Sequence, residues 1–163
     1  LIINMSSTSG IRPSPGWDVY GASKFAIEGL SEAVAAVASH WNIDIVVLEP
    51  GTCATNFMHQ STEAGKRSTE YTRAYDTFMP NALHWMEKRL KEGQPPEEVA
   101  EVIAFIISQE KRQVRYQTSL KGTETIKKRF IDPTGTSSVN EQMELTKELW
   151  HGSLDIDKGS SFK

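Results

Sequence analysis

The stretch Tyr-Gly-Ala-Ser-Lys at residues 20–24 follows the stretch Ser-Ser-Thr-Ser-Gly at residues 6–10, and together they indicate both fold and chemistry. On a helix, Tyr20 and Lys24 share one face because residues four apart are neighbours there. A free tyrosine titrates at about pH 10, so a nearby ammonium that stabilises the phenolate suits it to proton transfer. Ser7 can donate a hydrogen bond to an oxygen whose charge changes during a reaction.

Apolar runs on both sides of this stretch predict alternating strands and helices. Residues 1–5 indicate a buried strand that ends in the turn at residues 6–10. Apolar residues at helical spacing predict a helix over about residues 18–40, and residues 43–48 indicate a second strand. Strand, helix and strand in this order are typical of a parallel sheet covered by helices, which is an α/β fold.

Three motifs in this order resemble those of the short-chain dehydrogenase/reductase family. The active Ser of that family lies thirteen residues before its Tyr, which selects Ser7 rather than Ser6, and its Tyr-x-Ala-Ser-Lys box matches residues 20–24. Its Pro-Gly-x-x-x-Thr stretch matches residues 50–55. Later segments look like the subgroup that holds the photoreceptor-type retinol dehydrogenases and the type 1 17β-hydroxysteroid dehydrogenases.

The resemblance implies an oxidoreductase that uses NADP or NAD to interconvert an alcohol and its carbonyl compound. Tyr20 would transfer the proton, Ser7 would bind the substrate oxygen, and Lys24 would hold the nicotinamide ribose and act on Tyr20. Cys53 is interpreted as a small apolar neighbour, because no His is adjacent in sequence to activate it. The residues implied to contact the cofactor are Tyr20, Lys24, Pro50, Gly51, Cys53 and Thr55.

The segment after the third motif is rich in apolar residues, and this family builds its substrate lid there. Core packing explains such a stripe equally well, so both interpretations stay open. His84 lies twelve residues before Pro96, where steroid-active relatives carry a substrate-contacting His, and an exposed helix His is the alternative. The predicted substrate is a small apolar alcohol or ketone of retinoid or steroid type. The predicted substrate-binding residues are Ser7, Phe57, Met58 and His84.

The glycine pattern of a dinucleotide site is missing from this chain. None of its 11 glycines forms the Gly-rich turn that holds a pyrophosphate. We therefore predict the C-terminal part of a Rossmann-type doubly wound parallel sheet whose N-terminal nucleotide-binding half is missing. Residues 1–150 would be its catalytic and substrate-binding part, and residues 151–163 a polar tail that frays. The alternative is a truncated, non-catalytic remnant that acts at most as a dimerisation or binding module.

The rest of the sequence predicts further helices and one short strand. One or two helices broken near Pro80 are predicted over residues 69–92, and another helix, with Pro and acids in its first turn, over residues 95–110. Residues 114–118 indicate a short strand, and residues 139–150 an amphipathic helix.

Composition fits a piece of soluble enzyme. With 163 residues, 38% of them hydrophobic, the chain can form one domain with its own core. A net charge of −3 gives no reason to expect nucleic acid as a partner, and no apolar run approaches the length of a membrane span. The single Cys suits a reducing compartment, so we predict a cytoplasmic location; the 4 His residues show no metal-ligand spacing. The complete enzyme is expected to be a homo-oligomer.

Basic residues gather late in the chain. A solvated surface is the favoured interpretation, and electrostatic contact with a membrane surface is the alternative. These residues are Lys111, Arg112, Arg115, Lys121, Lys127, Lys128 and Arg129.

Overall fold

The computed structural model describes residues 1–57 and 78–151, which form one three-stranded sheet and five α-helices. The strands lie in the order β1-β2-β3 and both pairs are parallel, so the predicted α/β fold with a parallel sheet is confirmed. The strands are β1 (Ile2–Met5), β2 (Ile45–Glu49) and β3 (Arg115–Gln117). The helices are α1 (Asp18–Ala38), α2 (Phe78–Lys91), α3 (Pro96–Ser108), α4 (Leu120–Ile131) and α5 (Thr136–His151).

Different helices cover the two faces of the sheet, as in a doubly wound fold. On one face, Val46 and Leu48 of β2 form a core with Ile106 of α3. On the other face, Asn4 Nδ2 of β1 donates a hydrogen bond to Ser31 Oγ of α1 at 2.8 Å. Successive strand residues point to opposite faces, so β2 contributes to both layers and all its residues are buried.

Helix α1 buries its polar and small residues and exposes its apolar ones. The residues that it buries fully are Gly21, Glu28, Ser31 and Ala38. Leu30 is 64% exposed and Val37 is 56% exposed, although both belong to the helical pattern that is visible in the sequence. The apolar periodicity therefore predicts the helix correctly. The apolar residues, however, lie on the face of α1 that no other described residue covers.

A glycine is required directly after Tyr20. A Cβ at Gly21 would lie 2.7 Å from the Cβ of Pro13, so only glycine lets the preceding loop cross α1 at this point.

At the start of α1, Asp18 lies in the first turn, where the helix dipole favours a negative charge. After α1, Asn42 adopts the left-handed conformation, with a φ of 57°, and turns the chain into β2.

Helix α4 was not predicted. Its sequence is mostly polar, and its signal was the preceding Ser119, whose Oγ accepts a hydrogen bond from Gly122 N at 3.1 Å and caps the helix. Helix α5 begins at Thr136, three residues before the predicted start, because Asp132 accepts a hydrogen bond from Ser137 N at 2.8 Å.

Strand β1 lies at an edge of the described sheet. Ile2 is 47% exposed and Met5 is 44% exposed, so the prediction of a buried strand is wrong for this part of the chain. Pro80 lies in the first described turn of α2, and the described helix continues from there to Lys91. Residues 58–77, and all of the predicted tail 151–163 except His151, lie outside the described residues; His151 still belongs to α5. None of the described helices is both long and apolar enough to traverse a lipid bilayer.

The hydrogen bond between Asn4 and Ser31 should be measurable in the stability of the fold. We expect Asn4→Ala to lower the free energy of unfolding by about 1–2 kcal/mol, because Ser31 is 1% exposed and its hydroxyl would lose its partner. The control Asn140→Ala changes an exposed residue of α5 and should stay within about 0.5 kcal/mol. Equal effects of the two variants in urea unfolding would contradict this role of Asn4.

Candidate active site

Ser7 lies where β1 gives way to a short 3-10 turn. The residue is buried; its Oγ accepts a hydrogen bond from Ser9 N at 3.1 Å and donates one to Pro50 O at 3.4 Å. Thr8 N donates to the same carbonyl at 2.9 Å. The end of β1 is thus held against the residue that follows β2, because parallel strands bring their carboxyl ends to one edge of the sheet.

Tyr20 and Lys24 occupy the first two turns of α1. Lys24 Nζ lies 5.6 Å from the centroid of the Tyr20 ring and donates a hydrogen bond to Met5 O at 2.9 Å. Partial burial of this ammonium lowers the pKa of Lys24 from its ordinary value. Among the described residues the Tyr20 hydroxyl has no hydrogen-bond partner, so its oxygen can meet a ligand.

The loop at residues 50–55 begins at the same edge. Pro50, Gly51 and Cys53 are half-buried, and Thr55 is exposed. A Cβ at Gly51 would lie 3.4 Å from the nearest side-chain atom, an ordinary contact, so packing within the chain does not by itself require glycine there. Burial and the charge of Glu97 raise the pKa of the Cys53 thiol, which argues against a thiolate nucleophile.

Two residues that the sequence analysis missed, Gly93 and Gln94, hold this loop in place. Ala54 N donates a hydrogen bond to Gln94 O at 2.9 Å, and Gln94 N donates one to Thr52 O at 3.0 Å. Gln94 Nε2 also donates to Thr118 Oγ1, which links the loop to the end of β3. A Cβ at Gly93 would lie 2.9 Å from backbone atoms of the loop. This glycine was the one feature of the sequence that could have indicated the contact with the loop.

The predicted substrate residues differ in where they lie. The ring of Phe57 stands 5.6 Å from the ring of Tyr20, centroid to centroid, at an angle of 56°. Met58 lies outside the described residues. His84 is exposed on α2. Of the three predicted apolar or aromatic contacts, the structure therefore places Phe57 beside the predicted proton donor.

A buried carboxyl pair lies between α1 and the ends of β2 and β3. Arg115 Nε is 3.1 Å from Glu28 Oε2 and 3.5 Å from Glu49 Oε1, and Gln117 Nε2 donates a hydrogen bond to Glu49 Oε2. Glu28 is 4% exposed and Glu49 is 0% exposed. Burial, together with the nearby charge of Glu28, raises the pKa of Glu49 to about 7. Glu49 is the last residue of β2, whereas the apolar run over residues 43–48 predicted that the strand ends one residue earlier.

Comparisons with known proteins agree with the motifs. The sequence model of the family described as short chain dehydrogenase matches residues 1–66. An uncharacterized oxidoreductase of Schizosaccharomyces pombe is 31% identical over 89% of this chain and 60% of its own length. Retinol dehydrogenase 8 of Bos taurus is 32% identical over 83% of this chain, and 17-beta-hydroxysteroid dehydrogenase type 1 of Homo sapiens is 29% identical over 85% of it.

A solved structure supports the fold. A short-chain dehydrogenase from Streptomyces avermitilis matches 89% of this chain with a TM-score of 0.56 at 22% identity. The chain covers 50% of that structure, and 45% and 43% of the retinol and hydroxysteroid dehydrogenases, so it spans about half the length of these proteins. The motifs around Ser7, Tyr20 and Lys24, the parallel sheet and these matches together show that the chain belongs to the short-chain dehydrogenase/reductase family.

Proposed function

We propose that this chain is the catalytic and substrate-binding part of an NADP- or NAD-dependent oxidoreductase that interconverts an alcohol and its carbonyl compound. One observation carries the proposal: Lys24 lies beside Tyr20 and is bonded to the strand end that leads into Ser7. The ammonium can stabilise a phenolate, and the serine can bind an oxygen. This is the arrangement that proton transfer to a carbonyl oxygen needs.

The proposed roles of the residues follow from their chemistry. When bound, the reduced nicotinamide supplies a hydride to the carbonyl carbon. Tyr20 donates its hydroxyl proton to the carbonyl oxygen as that oxygen gains charge, and Lys24 stabilises the phenolate that remains. Ser7 Oγ donates a hydrogen bond to the same oxygen; its present bond to Pro50 O is long, at 3.4 Å, so it is readily exchanged. In oxidation, Tyr20 takes the proton back.

The residues present fit one end of the cofactor. Tyr20 and Lys24, with the loop residues Pro50, Gly51, Cys53 and Thr55, would hold the nicotinamide ribose and ring. The fit is supported by the Tyr20 hydroxyl, which has no hydrogen-bond partner in the part of the chain that the structure describes, by the Lys24 ammonium at the sheet edge and by the loop that Gln94 holds in place. The chain has no Gly-rich turn for the pyrophosphate, so we propose that a preceding segment supplies it.

The proposed substrate is a small apolar alcohol or ketone. The aromatic ring of Phe57 beside Tyr20 supports an apolar pocket wall at the reacting group, and Met58 and His84 are proposed further contacts. Two similar proteins are named for retinol and a 17-beta-hydroxysteroid, so compounds of these classes are the first to test. We place the reaction in the cytoplasm.

The exposed apolar face of α1 supports a homodimer of the complete enzyme. Four large apolar side chains on this face are between 41% and 78% exposed, a pattern that marks a contact surface. They are Val19, Leu30, Val34 and Val37, and Trp41 in the 3-10 turn that follows α1 is 69% exposed. The same face also fits the second candidate, a non-catalytic remnant that serves as a dimerisation module.

Cofactor binding separates the two candidates. We expect no measurable NADPH binding by residues 1–163 alone, because the pyrophosphate and adenosine contacts would lie in the preceding segment. A longer form that includes that segment should bind NADPH at micromolar concentration and reduce apolar ketones. NADPH fluorescence and absorbance measure both. Saturable binding by the chain alone would show that our division of the cofactor site is wrong, and a longer form without turnover would favour the remnant.

A further inference from the structure

Helix α4 has one buried side and one side that no other described residue covers. Its buried residues are Gly122 and Ile126. At its two ends, Leu120 is 85% exposed, Phe130 is 61% exposed and Ile131 is 78% exposed. Eleven residues make about three helical turns, so Leu120 and Ile131 lie on one line along the helix. Two large aliphatic side chains, with an aromatic one beside them, thus stand on the outer face of α4.

The same helix carries a concentration of positive charge. It holds four basic residues and one acidic residue, whereas the whole chain has a net charge of −3. Among the described residues, the Lys121 and Lys127 side chains have no ion-pair partner. Lys128 Nζ lies 3.2 Å from Glu141 Oε1, and Arg129 Nη1 donates a hydrogen bond to Asp132 O. Glu124 is the one acidic side chain of α4 itself.

The other late basic residues are divided between structural and solvated positions. Arg112 pairs with Asp44 at 2.7 Å, and Arg115 pairs with Glu28 and Glu32. The interpretation of the whole basic group as a solvated surface is therefore wrong for these two arginines. The late basic side chains that have no ion-pair partner among the described residues lie mainly on α4, next to the exposed apolar residues of that helix.

We propose that α4 docks on the surface of an anionic lipid membrane. Leu120, Phe130 and Ile131 would enter the boundary between headgroups and acyl chains, while Lys121 and Lys127 meet the lipid phosphates and carboxylates. A second copy of the chain is a poorer occupant, since a twofold contact on this face would bring the same lysines opposite each other. The proposal does not depend on the reaction that the enzyme catalyses. Docking would bring the proposed site for apolar compounds close to the lipid in which those compounds dissolve.

Vesicle flotation tests the proposal, because an aggregate without lipid does not float. The longer form of the protein is mixed with phosphatidylcholine vesicles, or with vesicles that contain about 30% phosphatidylserine. We expect flotation with the anionic vesicles only, and a loss of binding of about tenfold or more between about 0.1 M and 0.5 M NaCl. The double variant Lys121→Gln/Lys127→Gln should bind more than about tenfold more weakly, at roughly fivefold for each lysine.

Matched variants separate α4 from the rest of the surface. Leu120→Ser/Ile131→Ser should weaken binding about tenfold or more, whereas Ile107→Ser, at a residue that is 58% exposed on α3, and Lys111→Gln should not. Circular dichroism confirms that each variant is folded. Failure of the protein to float with anionic vesicles, or equal losses in the control variants, would overturn the proposal. It would also be overturned if the α4 variants changed the oligomeric mass in light scattering but left vesicle binding unchanged; α4 would then be an interface between copies.

Discussion

Tyr20→Phe, in a longer form that includes the proposed preceding segment, is expected to lower kcat of the proposed reaction by at least about a hundredfold while the affinity for NADPH stays nearly unchanged. The substitution removes only the hydroxyl, so the ring keeps its contacts with Phe57 and Lys24. Proton transfer by a positioned side chain typically contributes about 10²–10⁴-fold to the rate, and this contribution disappears with the hydroxyl.

Tyr116→Phe is the matched control for this experiment. The Tyr116 hydroxyl accepts a hydrogen bond at 2.9 Å from Gln113 N, which lies just before β3, and it has no role in the proposed reaction. The Tyr116→Phe variant should keep kcat within about twofold of the parent value. Loss of the hydroxyl should lower the free energy of unfolding by about 1 kcal/mol. Lys24→Ala should lower kcat and also weaken NADPH binding, because the proposed contact with the nicotinamide ribose is lost. If Tyr20→Phe kept more than about a tenth of the parent kcat with every ketone and alcohol tested, the proton transfer would be assigned to the wrong residue.

The free energy of unfolding should fall by about 3 kcal/mol as the pH rises from about 4.5 to about 7, through the ionisation of Glu49. Burial raises the pKa of Glu49 from 4.5 to about 7, so the folded state keeps a proton that the unfolded state has already released. The stabilising effect of this proton is complete below the unfolded pKa and is lost as the pH passes the folded pKa. Above about pH 7, the contribution of Glu49 to the slope should vanish.

Glu49→Gln isolates this effect. The amide oxygen can still accept the hydrogen bond from Gln117 Nε2, but the group no longer titrates. We expect the variant to lose most of the decline between about pH 4.5 and 7 in urea unfolding. Glu32→Gln is the control: its partner is also Arg115, but the Glu32 side chain is 62% exposed, so the variant should retain the decline. A parent protein whose stability rises over this pH range would contradict the assignment.

The fold was predicted well where local pattern and order along the chain decide it. Both strands around α1 and the helix itself follow from short apolar runs and helical spacing, which act over a few residues. Helix α4 was not predicted because its mostly polar sequence gives a weak apolar periodicity and because its capping residue, Ser119, is of a type that is common in loops. The early start of α5 depends on Asp132, whose capping role is visible only when its partners are placed.

Contacts distant in sequence could not be read from the pattern. Gln94 and Thr118 are separated by 24 residues, and they meet only because α3 crosses from the loop after β2 to β3. Arg115 looked like one of several solvated basic residues, yet it faces Glu28, which lies 87 positions earlier. Along α1, Lys24, Glu28 and Ser31 recur at helical spacing and form its sheet-facing polar side, opposite the apolar stripe that is prominent in the sequence.

The sequence by itself determined the α/β order of the chain and pointed to the groups that we propose for proton transfer. A Tyr and a Lys four residues apart share a helix face wherever that helix lies, and a Ser at the end of the preceding parallel strand comes to the same edge. Only the tertiary structure decided which face of α1 is covered and which charges are buried. The parallel register pairs Glu49 with Gln117 and brings Arg115 across to α1, and the burial that shifts a carboxyl pKa exists only once those layers are packed.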